Sequence, residues 1–123
     1  MLRPHAATRP SARECIFHPF FWNDEKKLQF LLDASDRAED EPRDSPLRFR
    51  LEYAAETVVG SNWCEALCPE MAGNLNLNLR RKYDAGSVRD CLRYIRNKKH
   101  HYHELPVSAQ RYFSRTYTYV TFI

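Results

Sequence analysis

From Arg89 to His103 the chain reads RDCLRYIRNKKHHYH, with five arginine or lysine side chains and three histidines. Such residues can do three kinds of chemistry. Guanidinium and ammonium groups bind phosphate oxygens, and imidazoles hold metal ions. A histidine, whose unperturbed pKa is about 6.5, also moves protons near neutrality. A solvated face needs no cluster of histidines, and a core helix does not tolerate Arg-Asn-Lys-Lys. A basic cluster by itself carries electrostatic information only, and a solvated face is its ordinary meaning.

The zinc alternative starts from Cys64-x₃-Cys68, which with His101 and His103 gives four ligands in number. A His-x-His pair at a helix end, and the wide gap between the two pairs, fit no zinc pattern. No metal and no cofactor is expected.

Four helices can be argued as the elements that position these residues. Asn23 is a plausible N-cap, with Asp24 and Glu25 in the first turn where the helix dipole favours acids. Leu28, Leu31 and Leu32 give that helix an apolar stripe, and the acidic tract 39–44 closes it. Ser45-Pro46 starts a second helix, on which Leu47, Leu51, Ala54, Ala55 and Val58 recur at helical spacing before Gly60. Pro69-Glu70 resembles a helix start, although NLNLNL at 74–79 alternates with the period of a strand. A helix is the preferred reading there. In the last helix Ser87 is the N-cap and Asp90 completes a capping-box-like pair. Val88, Cys91, Leu92 and Ile95 form its buried face, with Arg89, Arg93 and Asn97 on the far side. His101 follows Asn97 by four residues and shares its face if the helix persists. Tyr83 precedes the N-cap, on the Asp84-Ala85-Gly86 turn.

With 123 residues the chain has room for one domain with a real core. Only three glycines are present, all after position 59, which favours helices over a many-turned β architecture. The formal charge is +3, but residues 24–56 carry ten acids against six bases, whereas residues 80–103 carry eight bases against two acids. A basic C-terminal half suits a phosphate-bearing partner. The N-terminal stretch has no apolar run of a secretory signal, and no segment has the roughly 20 apolar residues of a membrane span. The four cysteines show no disulfide framework and are expected as reduced thiols in the cytosol, with Cys91 buried and inert. Trp63 is expected as a hydrophobic anchor after the second helix, and Tyr112, Tyr117 and Tyr119 as packing aromatics.

Two stretches carry a family resemblance. RPSARECIFHPFFW, residues 9–22, resembles the last helix of a protein-kinase C-lobe. HPFFWNDEKKLQFLLDASDR and KYDAGSVRDCLRYIRNKKHHYHELP resemble the kinase-extension nuclease domain of the inositol-requiring kinase/endoribonuclease family, related to ribonuclease L. The resemblance implies an all-α domain at 23–123, shortened near its C-terminus, preceded at 1–22 by a remnant of the kinase C-lobe. It implies metal-independent RNA cleavage by paired nuclease domains, with a kinase domain in cis in full-length members. The family's active-site pattern falls on Tyr83, Arg96, Asn97 and His101, the histidine as general acid and the tyrosine as general base. Arg80, Arg81, Lys82, Arg93, Lys98 and Lys99 are expected to hold the RNA backbone, that of a stem-loop.

That chemistry accounts for the basic run. When the ribose 2′-hydroxyl attacks its own phosphodiester, one group must accept the 2′ proton and another must protonate the leaving 5′-oxygen. Fixed positive charge on the phosphorane-like transition state completes the requirement. His100 and His103 have no matching position in the pattern. A catalytically silent dimerisation or RNA-binding module is the alternative. The expected setting is the cytoplasm without direct membrane contact, or the cytosolic face of the endoplasmic reticulum within a longer anchored sensor.

Overall fold

The computed structural model describes residues 4–67, 69 and 83–111. A short helix α1 (Ala12–Ile16) opens with a capping box, in which Ser11 Oγ accepts from the Glu14 N–H and Glu14 accepts from the Ser11 N–H. The HPFF segment makes a single 3-10 turn, after which Trp22 Nε1 donates to the Phe17 carbonyl at 3.0 Å. Ile16, Phe17, Phe20, Phe21 and Phe30 all lie exposed around this region.

Asn23 caps α2 (Asp24–Asp40) as expected, its Oδ1 accepting from the Lys26 N–H at 2.8 Å. Leu28, Leu31 and Leu32 are half-buried, and the fully covered positions are two small residues, Ser35 and Ala38. The second predicted helix is two pieces, α3 (Pro46–Tyr53) and α4 (Ala55–Val58), separated at Ala54. The break carries Ala55 into the core beside Val88 and Leu92, while Leu47 and Val58 stay exposed. Gly60 then takes a φ of 70°, a left-handed conformation that ends the helix at no steric cost.

The last predicted helix, α5 (Val88–His100), is the centre of the domain. α2 and α3 both pack along it. Val88 and Leu92 close one cluster with Ala55, and Leu31, Ala34, Leu51 and Val59 pack around it. Tyr94 closes a second with Trp63, Leu105 and Ala109. The arginine side of α5 is therefore covered rather than solvated. Arg89 reaches Glu39 of α2 at 3.1 Å, and both it and Arg93 are half-buried. Beyond α5 the chain makes a 3-10 turn at Tyr102–Glu104 and a helical segment at 107–111.

Every regular element among the described residues is helical, and the domain is all-α. The expectation for residues 74–79, and those for Tyr112, Tyr117 and Tyr119, lie outside the described residues. Among the described cysteines Cys15, Cys64 and Cys91 are free thiols. Cys91 is half-buried rather than fully buried, and that burial pushes its thiol up to about 12.

Candidate active site

The start of α5 is fixed by a carboxylate from another helix. Glu52 of α3 accepts from Ser87 Oγ at 2.8 Å and from the backbone N–H groups of Val88 and Arg89, each at 3.1 Å. These two amides belong to the first turn, where N–H groups have no intrahelical partner and a negative charge meets the positive end of the helix dipole. Ser87 caps as expected, accepting from the Asp90 N–H at 3.1 Å. The reciprocal half of the box is absent. Asp90 Oδ2 instead accepts from the Asp84 N–H at 2.6 Å, because its short side chain turns toward the loop before the helix.

That loop carries Tyr83, and three further bonds hold it. Trp63 donates from Nε1 to the Asp84 carbonyl and from its backbone N–H to the Ala85 carbonyl, both at 3.0 Å. Asp84 Oδ1 accepts from the Gly86 N–H at 2.9 Å. Trp63 is thus the expected anchor, and it acts through both its ring and its polar edge.

Asp90, Arg93 and Asn97 make one stripe of α5 beneath the Tyr83 loop. The Arg93 guanidinium lies 5.0 Å from the centre of the Tyr83 ring and 3.5 Å from Asp90. Asn97 Nδ2 donates to the Tyr83 hydroxyl oxygen at 2.8 Å. The ring itself meets Trp63 and Tyr94 edge-on, with centroids 6.1 and 5.5 Å away. Two of the four predicted catalytic side chains are therefore in direct contact.

The other two face different partners. Arg96 lies on the α2 side, where its Nη1 is 2.7 Å from Asp36 Oδ1. His101 is the C-cap of α5, its backbone N–H returning to the Asn97 carbonyl at 3.0 Å. It is one turn past Asn97, exposed, with Nδ1 3.0 Å from Glu104 Oε1. Lys98 is half-buried over the Tyr94 ring at 5.3 Å, and burial pulls its pKa down from the usual lysine value. Lys99 is exposed beside Tyr102, 5.9 Å from the ring centre. His100 and His103 are exposed. Arg80, Arg81, Lys82 and Cys68 lie outside the described residues. Among the described residues no group of three or more His, Cys, Asp or Glu side chains could hold a metal ion.

Sequence reasoning missed Glu52, Asp36 and Glu104. Glu104 stands three residues after His101, a spacing that could have suggested the contact. Nothing local points from Glu52 or Asp36 to α5.

One helix and its flanks thus carry a phenol, an imidazole, an amide donor and several cations, groups able to bind phosphate oxygens and to move protons. The class is that of an all-helical domain built around one strongly basic helix. The Ribonuclease 2-5A family model matches residues 27–122, and the chain belongs to that family. It is 46% identical over 112 residues to the serine/threonine-protein kinase/endoribonuclease IRE1a of Arabidopsis thaliana, covering 89% of this chain and 13% of that protein. It is 46% identical over 111 residues to the human serine/threonine-protein kinase/endoribonuclease IRE2, covering 90% of this chain and 12% of the relative. With the sensor for unfolded proteins in the ER ire1 of Schizosaccharomyces pombe it shares 43% over 113 residues, 90% of this chain and 10% of that protein. The chain thus spans only a small part of the length of these relatives.

Proposed function

We propose that this chain is an endoribonuclease domain that cleaves RNA without a metal ion, by attack of the ribose 2′-hydroxyl on the adjacent phosphodiester. Tyr83, as the phenolate, accepts the 2′ proton and becomes the neutral phenol, the 2′-oxygen bonds to phosphorus, and the bond from phosphorus to the 5′-oxygen breaks. His101 gives its proton to that oxygen. The products are a 2′,3′-cyclic phosphate and a 5′-hydroxyl. Arg96 stabilises charge on the phosphorane oxygens, and Arg80, Arg81, Lys82, Arg93, Lys98 and Lys99 hold the backbone of an RNA stem-loop.

The observation that carries this reading is the Asn97 amide donating to the Tyr83 hydroxyl at 2.8 Å, one helical turn before His101. An N–H donor on this oxygen stabilises the phenolate form, which is the form able to take up a proton. The names of the relatives agree, since two of them join a kinase to an endoribonuclease. Residues 1–22 are then the end of a kinase lobe and residues 23–123 the nuclease domain. In a longer protein of the kind named for the fission-yeast relative, the domain works on the cytosolic face of the endoplasmic reticulum. None of the described helices is long and apolar enough to cross a membrane.

The test is incubation with an end-labelled RNA stem-loop in excess chelator. Cleavage with 2′,3′-cyclic phosphate ends supports the proposal. Loss of cleavage in chelator, or 3′-hydroxyl ends, rejects it. The silent-module reading draws on the Arg96–Asp36 pair, which occupies the arginine meant for phosphate. RNA binding without cleavage in the same assay would favour it.

A further inference from the structure

We propose that Glu104 is a positioning residue for His101, holding a proton on Nδ1 so that Nε2 is the atom that serves the 5′-oxygen of RNA; the second half of this rests on the ribonuclease reading above. The argument begins with the backbone. α5 ends at His100, and His101 opens the 3-10 turn at Tyr102–Glu104. The Glu104 N–H donates to the His101 carbonyl at 3.0 Å, which brings residues 101 and 104 to the same side of the turn. The next residue, Leu105, is buried against Trp63, Tyr94 and Ala109. Its carbonyl accepts from Gln110 Nε2 at 2.8 Å and its N–H donates to Tyr102 O at 3.2 Å. The turn is therefore anchored on its core side while its two polar side chains project outward.

The side-chain geometry follows from that anchoring. Glu104 Oε1 lies 3.0 Å from His101 Nδ1. An ionised carboxylate can only accept, so Nδ1 must carry the hydrogen in this contact. The partner of one ring nitrogen sets the state of the other. In the neutral ring Nε2 then has the lone pair, and in the charged ring Nε2 carries the proton to be given away. The side chains of His101 and Glu104 are 62% and 75% exposed, so the free edge of the ring is open to a large substrate. An exposed pair contributes little to stability. Its effect lies in the choice of tautomer and the aim of the ring.

During the step, Nε2–H passes its proton to the 5′-oxygen as that oxygen leaves phosphorus. The neutral imidazole that remains keeps its hydrogen on Nδ1, bonded to Glu104. Protonating Nε2 again from solvent restores the acid, with no change at Nδ1.

The experiment uses the 123-residue chain, labelled with ¹⁵N on histidine, and two variants, Glu104→Ala and Glu104→Gln. Long-range ¹H–¹⁵N correlation spectra at alkaline pH report which nitrogen of neutral His101 carries hydrogen. The expected result is Nδ1–H in the parent and in Glu104→Gln, whose amide oxygen can still accept, and loss of that preference in Glu104→Ala. In the RNA assay Glu104→Ala is expected to lower kcat about tenfold with KM changed less than about twofold, and Glu104→Gln to recover most of the loss. Nε2–H in the parent, or a tautomer unmoved by Glu104→Ala, overturns the proposal. Failure of the ribonuclease reading looks different: cleavage retained in His101→Ala removes RNA from the argument while the tautomer result stands or falls by itself.

Discussion

Asp36 on α2 and Arg96 on α5 meet across the seam of the two helices, Oδ1 to Nη1, at 2.7 Å. Arg96 is thus already paired before any phosphate arrives. Asp36 is 63% exposed, so the pair is worth about 0–1 kcal/mol and a phosphate oxygen can compete for the guanidinium. Asp36→Asn is expected to lower KM for an RNA stem-loop about two- to fivefold, with kcat within about twofold of the parent. Steady-state cleavage rates check this. A higher KM would show instead that Asp36 holds Arg96 in its working position.

His101→Ala is expected to slow cleavage by on the order of 10²–10⁴, the usual worth of a general acid. His103→Ala is expected to stay within about twofold of the parent rate; its ring rests edge-on against Tyr102, 5.7 Å between centroids. Single-turnover rates on one RNA decide between them. If the two effects are reversed, the general acid has been assigned to the wrong histidine.

Lys99 is exposed and projects its charge beside Tyr102. Lys99→Glu is expected to weaken RNA binding alike for all sequences, with the slope of log K against log salt reduced by about one per lost phosphate contact. Binding isotherms at several salt concentrations measure the slope. An unchanged slope returns this lysine to an ordinary solvated face.

Glu52 accepts three hydrogen bonds at the start of α5. Glu52→Ala leaves two first-turn amides and a serine hydroxyl without their acceptor and is expected to cost about 1–3 kcal/mol. Urea unfolding gives the number. Glu52→Gln retains an acceptor but loses the charge at the helix N-terminus, and a smaller loss is expected. Equal losses in the two variants would make the charge, rather than the hydrogen bonds, the whole effect.

Activity is expected to rise more than linearly with protein concentration, because the family resemblance implies side-by-side pairing of nuclease domains. Association through one small surface loses translational and rotational freedom without help from a second contact. Fusion to a constitutive dimeriser is expected to raise the rate per domain. Strict linearity in a protein shown to be monomeric by sedimentation would exclude the pairing requirement.

Local signals carried most of the fold. Asn23, Ser45 and Ser87 all cap the helices that their side chains announce. The spacing of Val88, Leu92 and Ile95 gives the buried face of α5. What periodicity could not give was the break at Ala54, since apolar spacing continues through it without interruption. Nor could it show that Arg89 and Arg96 lie under α2, because their acidic partners are 50 and 60 residues away in sequence. The same limit applies to the site. Tyr83, Arg96, Asn97 and His101 were singled out only through a family pattern, whereas Glu52 and Asp36 depend on how whole helices cross. Asp90 was read as half of a capping box and proved to be the clasp of the Tyr83 loop.

Ser35, 2% exposed, and Ala38 are the covered residues of α2, and the Ser35 hydroxyl has no hydrogen-bond partner among the described residues. Small side chains let two helix axes approach toward the near end of the usual range of about 8–10 Å. Position 35 therefore acts as a shim. Thickening it by a few methyl groups would jack α2 away from α5 and stretch the reach of Asp36 and Glu39 to their arginines. The width of that seam is in this sense one dimension of the site, set by two residues that carry no reactive group.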